Sequence, residues 1–191
     1  MKRQIRAWKR VFILSVGMFW LAGCAGLSTW SELSKREYKD RARRFEAEVP
    51  LGWMRYNLLS YFVMTKDGTV LNRIAVERYP FDKKLEFTEK KFTADMTPLE
   101  IAELEIDNLK SNQNSGQFKL LQNKPATIDN LPAFGIEYTY RTIGGLRVHG
   151  CHYGFLKDKW VYRILYEAPE QHYFKKYKAD FERFIDSFKL I

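Results

Sequence analysis

The chain of 191 residues contains only two cysteines and three histidines, so any metal site made of imidazole and thiolate has few ligands to draw on. It has no run of about 20 apolar residues, the length that spans a bilayer. Gly52 and the pair Gly144-Gly145 stand isolated, and no phosphate loop or dinucleotide fingerprint is present. No serine occupies a nucleophile elbow. Internal repeats and low-complexity tracts are also missing. These gaps argue against nucleotide-dependent enzymes and repeat scaffolds, and they make an envelope hydrolase the weakest of the functional readings.

What the chain has is a core. Hydrophobic residues make up 46%, aromatic residues 16% and charged residues 29%, which is the composition of a folded protein. The length suits one domain. The net charge of +9 suggests nucleic acid until it is located along the chain. Residues 1–23 carry Lys2, Arg3, Arg6, Lys9 and Arg10 and no acid, so five of the nine charges lie there. Residues 24–44 add three more, and residues 45–191 are close to neutral. A near-neutral domain has no electrostatic footprint for nucleic acid.

The basic start is followed by an 11-residue apolar stretch, Val11 to Leu21, and then by Leu21-Ala22-Gly23-Cys24. That order is the pattern of a secretory signal peptide. Leu-Ala-Gly-Cys resembles the bacterial lipobox. The resemblance implies cleavage before Cys24, a diacylglycerol thioether on its sulfur and N-acylation of the new terminus. The bilayer is then a partner through acylated Cys24, since several acyl chains make a durable anchor. With Cys24 lipidated, Cys151 has no partner for an intrachain disulfide. Ala25 and Gly26 follow, with no Asp at the second mature position, which by analogy with lipoprotein sorting favours the outer membrane, facing the periplasm. The division expected is a signal over 1–23, a lipidated tether over 24–44 and a single domain over 45–191.

Within that domain, Phe45, Ala47 and Val49 alternate with acids as a short strand before the Pro50-Leu51-Gly52-Trp53 turn. Strands are predicted over 56–64 and 69–79 around an Asp67-Gly68 hairpin, followed by a surface loop over 80–96. Thr97-Pro98-Leu99-Glu100 is a capping box with proline at the first helical position. It opens a helix whose apolar stripe is Leu99, Ala102, Ile106 and Leu109. Glu100, Glu103, Glu105 and Asp107 are expected on its solvated face. Short strands at 118–122 and 125–128 lead into a meander over 133–141, 146–156 and 160–167. Phe174, Tyr177, Phe181, Phe184, Ile185 and Phe188 form one stripe of a final helix. The meander is apolar on both faces, so the expected fold is α+β: an antiparallel sheet of six or seven strands with helices on both faces, an α-β-α sandwich.

The Pro50–Trp53 turn, the Asp67-Gly68 hairpin, the Thr97–Glu100 helix start, Leu131-Pro132-Ala133 and the closing 181–188 segment occur in the order of the PsbP-like fold. That fold is shared by PsbP of photosystems, a Ran-binding family and bacterial lipoproteins of the DcrB and LpqN type. The resemblance covers residues 45–191. It implies a non-catalytic binding or assembly role with a protein partner, and it brings no site residue or cofactor with it.

The concentrated polar constellation is His149-Gly150-Cys151-His152 with Tyr153. On a strand, His149 and Cys151 share one face and His152 takes the other. His149 and Cys151 are half of a metal site, and His172 is the remaining histidine. This leaves a small-ligand or metal carrier as the alternative. A deep polar pocket around His149 and Cys151 would favour it, whereas a covered sheet there would leave surface contacts as the functional element. The aromatics Trp53, Tyr138, Tyr140, Tyr153, Trp160, Tyr162 and Tyr166 are expected between sheet and helix.

Overall fold

The computed structural model describes residues 29–112 and 114–191; the segment read as an export signal and Cys24 lie outside them. The strands are β1 (Trp30–Glu32), β2 (Glu37–Asp40), β3 (Phe45–Glu48), β4 (Met54–Tyr56), β5 (Phe62–Thr65) and β6 (Arg73–Pro80). Helix α1 (Pro98–Lys110) separates these from β7 (Ser115–Ile128), β8 (Leu131–Thr142), β9 (Arg147–Lys157) and β10 (Trp160–Pro169). Helix α2 (Tyr173–Asp186) and β11 (Lys189–Leu190) follow. Eight strands form one antiparallel sheet in the order β1-β4-β5-β6-β10-β9-β8-β7, and a second sheet of three runs β11-β3-β2. The α+β reading, with a mostly antiparallel sheet and two helices, matches this architecture. Among the described residues no helix is long and apolar enough to cross a membrane.

Local chemistry accounts for the turns and caps. Asp129 and Asn130 both have positive φ, 49° and 60°, as a two-residue turn between twisted strands demands. At the start of α1, Glu100 N–H donates to the Thr97 hydroxyl at 3.3 Å, and Thr97 N–H donates to the Glu100 carboxylate at 2.7 Å. Pro98 takes the position that needs no donor. The edge strand β7 is exposed along most of its length and carries two register shifts, lysines and Pro125, features that blunt an open edge.

Two cores follow from the period-two alternation of the strands. Phe174, Tyr177, Phe181 and Phe184 of α2 share one with Phe62, Met64, Ile74, Val76, Tyr162, Ile164 and Tyr166. Ile101, Ala102 and Ile106 of α1 share the other with Phe134, Ile136, Tyr138 and Val161. The small sheet joins the first core through Phe45, whose ring stacks on Phe188 at 5.1 Å.

Several expectations need correction. The stretch read as a tether over 24–44 holds β1 and β2: Leu33 is buried in the core, and Asp40 is buried where its carboxylate meets Arg43 at 2.8 Å. Its basic residues are therefore partly structural, and the folded unit starts well before residue 45. The single strand expected over 56–64 is split into β4 and β5. The tight Asp67-Gly68 hairpin is a wider loop closed by buried Asn72, whose amide oxygen accepts from Lys66 N–H at 2.7 Å and from the Thr65 hydroxyl at 3.0 Å. The pieces expected at 118–122 and 125–128 are one strand, β7. Leu99 is 59% exposed and not part of the helix stripe.

The largest correction concerns Glu105, which is buried rather than solvated. Its carboxylate accepts from the Tyr79 hydroxyl at 3.0 Å and lies 3.3 Å from the Arg163 guanidinium. Burial pushes the Glu105 carboxyl up, against the pull of Arg163 and Tyr79. Removing one partner of such a pair strands the other charge. Glu105→Ala is expected to cost about 3–5 kcal/mol in urea unfolding, and Glu105→Gln, which keeps an acceptor for Tyr79, clearly less. Equal small losses in both variants would show that the pair contributes nothing.

Candidate docking site

The residues singled out in the sequence fall on β9. His149 and Cys151 do share a face, the one packed against α2, and His152 points to the other. The His149 ring stacks on Phe174 at 3.6 Å, and its Nε2 lies 2.6 Å from the Glu137 carboxylate. Burial lowers the His149 pKa, while Glu137 pulls it up. The Cys151 thiol is buried and pushed up to about 12, mainly by desolvation, so little thiolate forms. The cavity beside it, between Glu137, Tyr153, Lys178 and Phe181, measures about 170 Å³, below the roughly 300 Å³ at which small-molecule sites begin. Among the described residues no group of three or more metal-ligating side chains converges. His172 is exposed at the N-terminus of α2.

The opposite face carries a different arrangement. Strand β6 reads Arg73-x-x-x-Glu77 and β10 reads Arg163-x-x-x-Glu167. Residues four apart on a strand share a face, and the antiparallel register sets Arg73 opposite Glu167 and Arg163 opposite Glu77. Both pairs form: Arg73 with Glu167, and Arg163 with Glu77 at 3.2 Å. Between them lie Ala75 and Leu165, opposite each other, with Val63 beside Ala75 on β5.

Each pair extends across the sheet. On β9, Gly150 stands next to Glu167 and Gly154 next to Arg163. A side chain at Gly150 would fall into the Tyr138 ring, and one at Gly154 into the Phe134 ring. With Gly150 bare, Tyr138 of β8 lies across β9 and donates its hydroxyl to Glu167 at 2.8 Å. His152 sits between the two glycines, edge-on to Phe134 at 5.3 Å. It is fully buried, and neither ring nitrogen has a hydrogen-bond partner among the described residues.

Helix α1 packs over β7, β8 and β9, and its Glu105 reaches as far as β6 and β10. Beyond it a cavity of about 330 Å³ opens over Val63, Ala75 and Leu165, walled by Trp30, Tyr56 and Tyr61. A second hollow of about 470 Å³ shares Tyr61 and Glu77 with it and runs to Lys83 and Lys84. The two adjoin at Tyr61 and Glu77, and the first forms a trough with an apolar floor that runs from Arg73 to Glu77. Sequence reasoning missed it. Its available signal was the repeated Arg-x-x-x-Glu on two predicted strands, which says that the charges share a face but not that the strands are neighbours.

This arrangement has a family. The PsbP family model matches residues 34–190, and the chain belongs to that family. Among solved structures it is similar to cyanobacterial PsbP (CyanoP) of Synechocystis sp. PCC 6803, 14% identical over 88% of this chain and 96% of that one, with a TM-score of 0.57. It is also similar to Mog1p, a Ran-binding protein of Saccharomyces cerevisiae, 12% identical over 84% of this chain and 96% of that one, with a TM-score of 0.54. No curated protein sequence matches the chain.

Two outcomes follow from the rows across the sheet. Gly150→Ala is expected to cost about 1–3 kcal/mol in denaturant unfolding, because it lifts Tyr138 off Glu167; an unchanged midpoint would contradict that packing. His152 is held well below its ordinary pKa of 6.5, first by burial and then by Arg163. Below pH 6.5 the unfolded chain therefore takes up a proton that the folded domain refuses. Stability should fall with pH by up to about 1.4 kcal/mol per unit from this residue. His152→Phe should flatten the decline between pH 7.5 and pH 5 measured by urea midpoints, and parallel profiles would count against it.

Proposed function

We propose that the protein is a lipid-anchored cell-envelope protein with a non-catalytic role, and that it binds a protein partner in the trough over β5, β6 and β10. The observation that carries this reading is the trough itself: an apolar floor on the sheet, flanked by ion pairs that Tyr138 and Glu105 hold from the side of α1. The two cores are read as the two faces of the large sheet, an α-β-α layering in which α1 protects one part of its face and leaves the rest for contact. Mog1p, of similar fold, is a Ran-binding protein; that is an analogy of fold, and it supports binding over catalysis.

The address comes from Leu21-Ala22-Gly23-Cys24 behind the apolar stretch. Acylation of Cys24 in the outer membrane, facing the periplasm, would hold Trp30, on the wall of the trough, within about 20 Å of the lipid, the reach of six extended residues. The trough would then work close to the bilayer surface.

Fractionation tests the anchor: Cys24→Ala should leave the membrane fraction while its soluble form keeps a wild-type melting transition, and a variant still anchored would overturn lipidation. Site-specific photocrosslinking in cells tests the docking face. A photoreactive residue at Tyr61 should give a discrete protein adduct not formed from Ile143, which is 82% exposed on the remote β8–β9 turn. Identical adduct patterns from the two positions would remove the trough from consideration.

A further inference from the structure

The two ion pairs that bound the trough are not equivalent toward solvent. In one, the Arg73 side chain is 43% exposed and its partner Glu167 only 9%. In the other, Glu77 is the more exposed member at 28%, against 16% for Arg163. Glu167 is held from the β8 side by the Tyr138 hydroxyl, and Arg163 is held from the α1 side by Glu105. Each buried partner is thus committed to the interior. A visitor to the trough meets Arg73 at one end, an apolar floor of Val63, Ala75 and Leu165, and Glu77 at the other end, with Lys83 and Lys84 beyond it in the adjoining hollow.

The spacing is fixed by the strand. Arg73 and Glu77 are four residues apart on β6, about 13 Å at strand rise. A second extended chain lying along β6 presents its own residues i, i+2 and i+4 to the same side with that same repeat. We infer that the trough takes an extended segment of a partner protein with a carboxylate and a cationic side chain four residues apart and an apolar side chain midway between them. The carboxylate seats on Arg73, the apolar group on the Ala75–Leu165 floor, and the cation on Glu77. A single amino acid or other small zwitterion is too short to reach both ends. A second copy of this chain would bring one hollow face against another. The inference rests on the reading of the trough as a docking face.

The test uses the full chain, purified in detergent, and fluorescein-labelled heptapeptides followed by anisotropy at low salt. Their centres read Glu-Thr-Leu-Thr-Lys, Glu-Thr-Leu-Thr-Glu or Lys-Thr-Leu-Thr-Lys. The mixed peptide should bind about fivefold tighter than either single-sign peptide, the upper range for solvent-accessible ion pairs. Arg73→Gln should make the mixed and all-Lys peptides equivalent, Arg73→Lys should keep them distinct, and Glu77→Gln should make the mixed and all-Glu peptides equivalent. If melting shows that Arg73→Gln does not fold, Glu77→Gln decides alone. Equal affinities of the three peptides for the wild type, or discrimination that survives in folded variants, would overturn the inference. A Tyr61-specific adduct together with equal peptide affinities would leave the docking face standing and remove only this partner chemistry. Peptide discrimination without such an adduct would support the chemistry and count against the cellular role.

Discussion

The row Tyr138, Gly150, Glu167 and Arg73 crosses four adjacent strands at right angles, and much of the domain is organised around it. A buried carboxylate is tolerated only when its lone pairs are used. Glu167 uses them on a phenol from one side and a guanidinium from the other. Tyr138 reaches it only because β9 has no side chain at Gly150. The same solution recurs four residues along, where Gly154 admits the Phe134 ring beside Arg163. Arg73 and Glu167 are 94 residues apart in the chain, so the row also joins the two halves of the sheet, β1-β4-β5-β6 and β10-β9-β8-β7. A slip of β6 against β10 by two residues would set charges against Ala75 and Leu165, which makes these pairs markers of register as well as contacts.

The row also explains why one sheet can be a core and an exposed surface at once. Polar groups that point inward are consumed by Tyr138 and Glu105, and those that point outward keep part of their charge toward solvent. Ion pairs of this kind contribute little to stability once desolvation is counted. What they provide is position: the guanidinium of Arg73 and the carboxylate of Glu77 stand four residues apart on one strand inside the sheet. A docking surface built on loops would have to order itself on binding, at a cost in conformational entropy; the trough proposed as one has its floor on strands and loop residues such as Tyr61 only in its walls.

Features that depend on neighbours in sequence were legible. The capping box of α1, the Phe174–Ile185 part of the final stripe, the β8-β9-β10 meander and the division of His149 and Cys151 from His152 all rest on spacing of a few residues, and the α+β class followed from them; Phe188, expected on the same helix, lies beyond its end at Asp186. Features that depend on distant partners were not. β1 and β2 are short and charged, and only their pairing with β4 and β3 makes them strands. Glu105 lies at a spacing that reads as solvated, and Arg163, which draws it inside, is 58 positions further on. Asn72 turned a hairpin signal into a wider loop through side-chain bonds that no turn propensity encodes. The trough combines both kinds of information: its charges were visible as a pattern, and its walls required the strand order.

The three-stranded sheet carries a consequence for how the chain acquires its fold. β3 lies between β2, a few residues away, and β11. Its far side is closed by Arg44 and Ile191, which are 147 residues apart and joined at 3.1 Å in each direction. Phe45 is sealed only when Phe188 stacks on it. A chain emerging residue by residue from a ribosome or an export channel therefore cannot finish the three-stranded sheet until residues 188–191 have emerged. Until then it presents an aromatic surface without its cover, the condition under which holding factors act. Assembly is thus weighted toward the end of synthesis, and such distant closure predisposes a domain to slow folding.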